Sequence, residues 1–124
     1  MLKKIGIGID IIHIYRFQEK PYNTNKVFYK KIFHDSEIQY CLSRKNISES
    51  FASKFSIKES LIKSVNKKIN FLDILTDHSN LKPTVNLLSD SSYHFLVSVS
   101  HEQSIVIAVV ISEKHLKLFG FTFY

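Results

Sequence analysis

Lys3-Lys4-Ile5-Gly6-Ile7-Gly8-Ile9-Asp10-Ile11-Ile12 opens the chain with an isoleucine-rich, loosely alternating run. Such a pattern reads as a buried strand, and the two glycines inside it mark places where a second backbone can approach closely. Asp10 stands near the end of that strand. Two lysines ahead of an apolar run give the start a superficial likeness to a secretory leader, but Asp10 breaks the run too early, so a strand is expected instead.

Working outward, Ile14 to Lys31 reads as two short helical pieces separated by Pro21 and the polar Asn23-Thr24-Asn25. Asp35 or Ser36 can cap the next helix, which runs to about Leu42. The strongest helical pattern follows, with Ser48 as its N-cap: Ile47, Phe51, Phe55, Lys58, Ile62 and Val65 recur at steps of three and four. Beyond Asn66 the apolar runs are short and suit strands: Phe71 to Leu75, Thr84 to Leu88, Phe95 to Ser100 and Ile105 to Ile111. Ser100 to Ser104 is the tightest of the intervening turns. One strand, then helices, then strands joined by short polar turns predicts an α+β fold with a largely antiparallel sheet.

The 124 residues fit one domain, 1–124, with no repeat or linker to divide it. At 44% hydrophobic, with ten Phe and six Tyr, the composition is far from that of a disordered chain. Cys41 is the single cysteine, which excludes an internal disulfide framework, speaks against a thiolate zinc site, and points to a reducing, cytoplasmic setting. Ile105 to Ile111 is seven apolar residues long, well short of the roughly eighteen a spanning helix needs, so no membrane association is expected. The net charge of +6 favours anionic partners, among which nucleic acid, phosphorylated cofactors and acidic proteins all qualify. Scattered lysines and the lack of a recognised binding motif argue against nucleic acid.

Three polar positions invite a chemical reading. Asp10 is an ionisable group in an apolar strand, so it either caps the following turn or is paired with a cation or several donors. On the long helix, Ala52, Ser56, Glu59 and Lys63 share a face of small and polar groups, on which Glu59 and Lys63 form either an ordinary i, i+4 surface pair or part of a site. His101, after Ser98-Val99-Ser100 and before Glu102, either hydrogen-bonds a turn or faces a ligand.

Taken in order, three segments resemble the holo-acyl-carrier-protein synthases, the small bacterial-type members of the 4′-phosphopantetheinyl transferase superfamily. They are Gly6-Ile7-Gly8-Ile9-Asp10-Ile11 with Arg16 following, Phe55-Ser56-Ile57-Lys58-Glu59-Ser60 with Lys63, and Ser98-Val99-Ser100-His101. Weaker matches at Asp73-Ile74, Lys82-Pro83 and Ala108 to Glu113 extend the resemblance over about residues 3–113, leaving 114–124 as a tail. The resemblance implies transfer of 4′-phosphopantetheine from coenzyme A to a serine of apo acyl carrier protein, with release of adenosine 3′,5′-bisphosphate. It implies Mg2+ held by Asp10 and Glu59, a proton acceptor that is Glu59 or a metal-polarised water, and Lys63 beside the pyrophosphate. Lys54, in place of a family arginine, and His101 match positions at the nucleotide end. Arg16 matches the basic residue presented to the acidic carrier protein. Homotrimers with sites between subunits are usual in the family, and the apolar strands here can supply the interface.

Two departures from the family pattern stand out. Val65-Asn66-Lys67-Lys68-Ile69 replaces a Gly-x-Gly-Ile turn that approaches coenzyme A, which leaves a left-handed cap to Asn66 and contact with the coenzyme to Asn66 and the lysines, Lys67 among them. Leu81 stands where relatives commonly have glycine. The tail Leu118-Phe119-Gly120-Phe121-Thr122-Phe123-Tyr124 alternates like a strand and is expected to pack on its own or a neighbouring subunit. Loss of the glycine turn also motivates an alternative, a catalytically weak relative that binds coenzyme A or a carrier protein.

Overall fold

The computed structural model describes residues 3–118 together with 121 and 122. Strand β1 (Lys3–His13) pairs antiparallel along its length with β5 (Ile105–His115), which sets Asp10 opposite Ala108 and Gly8 opposite Val110. Strand β4 (Tyr93–Glu102) pairs with the other edge of β5, giving a three-stranded sheet of order β1-β5-β4. A second hairpin joins β2 (Ile74–Ser79) to β3 (Lys82–Leu87). The order of elements is that of the expected α+β fold.

Helices α1 (Tyr15–Gln18), α2 (Lys26–Lys30), α3 (Asp35–Leu42) and α4 (Ile47–Val65) lie between β1 and β2. Several boundaries differ from the sequence reading. Helix α3 is capped from His34 rather than Asp35 or Ser36, because the carboxylate of Glu37 reaches back to the His34 N–H at 2.8 Å. Helix α4 is capped by Asn46 rather than Ser48, its side chain accepting the Glu49 N–H at 3.2 Å. Phe71–Asp73 is a 3-10 turn, closed by the Asp73 N–H on the Asn70 carbonyl at 3.0 Å, so β2 starts only at Ile74. The turn between β4 and β5 is confined to Gln103 and Ser104, with Gln103 at φ 47°, which leaves His101 and Glu102 inside β4. Asn66 ends α4 in the left-handed region, at φ 54° and ψ 44°, as its place after Val65 predicts. Leu81 also has a positive φ, 67°, which explains why glycine suits that position.

Helix α4 lies on one face of the sheet, and β1 meets it with Gly6, Gly8, Asp10 and Ile12. A Cβ on Gly6 would fall 1.8 Å from the Ser64 carbonyl oxygen, and one on Gly8 would fall 1.9 Å from that of Ser60. The helix answers with a buried row of small residues at steps of four, Ala52, Ser56, Ser60 and Ser64. Ser60 Oγ donates to the Ala108 carbonyl at 3.0 Å, and Ser112 Oγ donates to the Ser64 carbonyl at 3.2 Å. The polar face expected at Ala52, Ser56, Glu59 and Lys63 is therefore split: Ala52 and Ser56 are buried against the sheet, while Glu59 is half-buried and Lys63 exposed at its border.

Core residues gather at the two ends of this contact. Phe17, Tyr29, Phe33, Ile38 and Phe51 pack with Ile12 and Val106 at one end. Ile57, Leu61 and Val65 pack with Ile74, Val85, Ala108 and Val110 at the other. The opposite face of β1 carries Ile5, Ile7, Ile9 and Ile11, each 60–69% exposed, and Leu96 of β4 adds to that face at 71%. Two short strands, β6 (Lys117–Leu118) and β7 (Phe121–Thr122), pair in the tail. The remaining tail residues, and with them the expected packing of the tail, lie outside the described residues.

The seat of α4 on β1 predicts that Gly8→Ala forces the two backbones apart. A cost of about 3 kcal/mol is expected, at the upper end for overpacked interiors. Urea unfolding measures it, and an unchanged midpoint would show that the close approach is not required.

Candidate active site

Strand alternation puts the Asp10 side chain on the helix side of β1, where only small residues oppose it. Its carboxylate, 14% exposed, accepts Ser56 Oγ at 3.0 Å on one oxygen and faces Lys63 Nζ at 3.3 Å with the other. Ser56 Oγ also lies 3.2 Å from the Asp10 carbonyl, and Lys63 Nζ donates to the Ile9 carbonyl at 3.0 Å. Asp10 is thus tied across to α4 rather than capping a turn.

Glu59 precedes Lys63 by one helical turn. Burial pushes its carboxyl above the usual range and the negative charge of Asp10 pushes it further, while Lys63 and Arg16 pull in the other direction. Three elements therefore bring Asp10, Glu59, Lys63 and Arg16 within electrostatic reach of one another. The ion pair of Lys63 is with Asp10, across the two elements, and the simple surface pair with Glu59 is not what the helix builds. Arg16 lies on α1 with its guanidinium 5.7 Å from the centre of the Phe55 ring.

Mutually repelling carboxylates from a strand and a helix suit a hard divalent cation, which takes one or two protein carboxylates and fills the rest of its shell with water and substrate oxygens. Among the described residues no group of three or more His, Cys, Asp and Glu side chains converges, so Asp10 and Glu59 are the two carboxylates a cation here would meet.

A cavity of about 280 Å³ lies between α3, α4, β2 and the end of β4, lined by Tyr40, Arg44, Lys54, Thr76, His78 and His101 among others. Lys54 is buried at 4% exposure; its Nζ donates to Thr76 Oγ1 at 3.1 Å and lies 4.6 Å from the centre of the Tyr40 ring. Tyr40 stacks on His78 with ring centres 4.5 Å apart. His101 Nε2 lies 3.5 Å from Glu49 Oε1. Lys54 and His101, 47 positions apart in sequence, therefore face one cavity.

Asn66 and Lys67 lie elsewhere. At about 1.5 Å per residue, Asn66 is roughly 18 Å along α4 from Lys54, on the far side of Glu59 and Lys63. Lys67 places its Nζ 5.4 Å from the centre of the Tyr93 ring and lines a separate depression with Lys68, Asp73 and Asp90.

Sequence reasoning missed the buried pair Glu37–Lys58, at 2.8 Å with both side chains fully shielded. Lys58 Nζ donates to Glu37 Oε1, to the Ile32 carbonyl at 2.7 Å and to the Phe71 carbonyl at 3.1 Å, so all three ammonium protons are used. Burial alone would raise the Glu37 carboxyl, but hydrogen bonds from Lys58 and Thr76, the Lys58 charge and the His34 N–H hold it below the usual range. The signal was available: Lys58 shares a helical stripe with Phe51, Phe55 and Ile62, where a charge needs a buried partner.

The family model for the 4′-phosphopantetheinyl transferase superfamily matches residues 6–110, and the chain belongs to that superfamily. Within it the chain is similar to the holo-[acyl-carrier-protein] synthase of Halalkalibacterium halodurans, at 36% identity over 118 residues, 89% of this chain and 96% of that one. The fold superposes with a TM-score of 0.72 on the Helicobacter pylori holo-[acyl-carrier-protein] synthase in complex with coenzyme A, at 30% identity, covering 86% of this chain and 98% of that one. It superposes at 0.75 on the Bacillus anthracis holo-(acyl-carrier-protein) synthase in complex with CoA (3′,5′-ADP), at 27% identity, covering 88% and 96%.

The electrostatics of Glu59 yield a direct test. A carboxyl with a folded pKa above its unfolded value costs the folded state stability as pH rises through the unfolded value toward the folded one. Asp10→Asn removes one of the two causes, so the Glu59 midpoint falls and that loss of stability shrinks. Carboxyl carbon chemical shifts across a pH titration report the midpoint. A Glu59 value indifferent to Asp10→Asn would place the two carboxylates out of each other's reach.

Proposed function

We infer that the chain transfers 4′-phosphopantetheine from coenzyme A to a serine hydroxyl of apo acyl carrier protein, as a holo-acyl-carrier-protein synthase. The observation that carries this reading is the convergence of Asp10, Glu59 and Lys63 across the contact of β1 with α4, in a chain of this superfamily. The carrier serine oxygen forms a bond to the phosphorus bearing the pantetheine. The bond from that phosphorus to the bridging oxygen breaks, and adenosine 3′,5′-bisphosphate leaves with the electron pair.

Asp10 and Glu59 are the residues to hold Mg2+, which when bound offsets charge on the pyrophosphate. Lys63, anchored on the Ile9 carbonyl, sets a positive charge beside the same group and favours its departure. Glu59, or a water polarised by the ion, would accept the proton of the serine hydroxyl. Along α4 the order of residues follows the order of parts in coenzyme A. The cavity of Lys54 and His101 takes the nucleotide, Asp10, Glu59 and Lys63 take the pyrophosphate, and Asn66 and Lys67 meet the pantetheine arm. Arg16, next to Glu59 in the electrostatics of the site, offers an acidic carrier protein a cation at the place where its serine must enter.

The assembly completing this reading is a homotrimer. Four isoleucines of β1 and Leu96 form an apolar sheet face too exposed to suit a monomer in water, and association through that face would cover it. Among the described residues no helix is long and apolar enough to cross a membrane, and the cytoplasm, where coenzyme A and carrier proteins meet, is the proposed compartment.

Intact mass of apo carrier protein after incubation with coenzyme A and Mg2+ tests the reaction. The wild type adds one phosphopantetheine, whereas Asp10→Ala and Glu59→Ala are expected to slow transfer by about a hundredfold or more, on the scale of losing an electrostatic group at a reacting centre. Near-normal, Mg2+-dependent transfer by both variants would sink the shared-metal reading. For the assembly, Ile7→Asp together with Ile9→Asp is expected to convert a trimer to monomers in light scattering. A wild type that is monomeric and fully active would contradict the trimer.

A further inference from the structure

Ser56, Ser60 and Ser64 of α4 are buried against the sheet, and they spend their hydroxyl protons differently. Ser64 Oγ donates back to the Leu61 carbonyl of its own helix at 2.7 Å, a common habit of helical serines. Ser60 Oγ crosses to a main-chain group, the Ala108 carbonyl, at 3.0 Å. Ser56, at 0% exposure, crosses to an acid: its Oγ lies 3.0 Å from Asp10 Oδ2 and 3.2 Å from the Asp10 carbonyl oxygen. A hydroxyl has one proton to give, and the nearer, charged acceptor is the stronger of the two.

The two carboxylate oxygens of Asp10 therefore stand in unlike surroundings. Oδ2 is held by a fully buried hydroxyl on a helix seated backbone to backbone on β1. Oδ1 faces Lys63 Nζ at 3.3 Å, and the Lys63 side chain is 53% exposed on a long, flexible stem. The rigid tie is the one to Ser56, so Ser56 fixes the plane of the carboxylate and leaves Oδ1 toward the border where Glu59 and Lys63 stand. This division bears on which cation suits the site. Mg2+ demands a near-octahedral shell at short range, which single carboxylate oxygens satisfy, whereas Ca2+ takes a larger, looser shell and often grips a carboxylate by both oxygens. Capture of Asp10 by both oxygens would set the ion against Oδ2 as well, in competition with the Ser56 hydroxyl.

We propose that Ser56 is a positioning residue that sets the cation preference of the site: by holding Asp10 Oδ2 it offers Oδ1 alone, and so favours Mg2+ over Ca2+. The inference rests on the reading of Asp10 and Glu59 as the metal carboxylates. Ser56 itself stays behind Asp10 and acts through it.

The test titrates Mg2+ or Ca2+ into the protein with coenzyme A present and no carrier protein, and follows Tm rather than turnover. In the wild type Mg2+ is expected to raise Tm at a lower concentration than Ca2+. Ser56→Ala weakens the response to Mg2+ by about tenfold, the lower end for loss of a group behind a metal ligand, and leaves Ca2+ nearly unaffected, so the preference falls toward one. Ser56→Cys is the second variant should the alanine fail to fold; its thiol is a weak donor, and it must lower the preference too. Ser60→Ala removes a buried hydrogen bond from the same helix face without touching Asp10, so it lowers Tm but keeps the wild-type ratio of the two ions. An unaltered ratio in Ser56→Ala, equal losses with both ions, or an equal shift of the ratio in Ser60→Ala overturns the role of Ser56. A wild type that does not distinguish the ions overturns it as well. Asp10→Ala separates this proposal from the reading beneath it. Loss of the response to both ions upholds Asp10 as a metal carboxylate whatever Ser56 does, and an undiminished response removes that reading and the proposal with it.

Discussion

The contact of α4 with β1 is made backbone to backbone, because Gly6 and Gly8 have no side chain to hold the Ser60 and Ser64 carbonyls away. Everything chemical follows from that distance. Only with the helix seated so closely does Ser56 reach the Asp10 carboxylate, and only then does Lys63, one turn beyond Glu59, cross to β1. Alternation along the strand adds the second condition: the side of β1 that carries the glycines also carries Asp10, so the residue that needs a polar partner faces the helix that supplies one.

A second constraint holds α4 from behind. The pair Glu37–Lys58 is buried and fully hydrogen-bonded, with main-chain carbonyls and the Thr76 N–H completing its shell. Such a pair adds little net stability over an apolar substitute, but breaking it typically costs about 3–5 kcal/mol, because one charge is then left buried alone. Its effect is on rotation and register. With Lys58 fixed toward α3 and β2, the next residue, Glu59, is turned about 100° around the helix, toward the strand and α1. The same carboxylate reaches Lys54 through Thr76, so the carboxylate pair and the cavity share one interior anchor.

Helix α4 thus sorts the chemistry by direction. Toward β1 it gives small residues and hydrogen bonds, toward α3 and β2 it gives two buried lysines, and at the edge between sheet and solvent it leaves Glu59 and Lys63. The opposite face of β1 takes no part in this and is apolar. In a single chain that face lies open, which is why the assembly and the chemistry are read from the two sides of one strand.

Much of the architecture was legible in the chain because it is local. Alternating isoleucines specify β1, three- and four-residue steps specify α4, and Asn66 ends that helix in the left-handed conformation that its short amide side chain tolerates. Asp10 stood out because a carboxylate in an apolar strand must find a partner. What the tertiary structure alone decided is which partner each polar group takes. Lys63 sits at ideal spacing for Glu59 yet pairs with Asp10, 53 positions away. Lys58 finds Glu37, and Lys54 shares a cavity with His101 while Asn66 and Lys67 lie at the other end of the helix. Helical periodicity records the direction in which a side chain points, but the group that meets it there is set by the packing of distant segments, and no pattern along one segment encodes that.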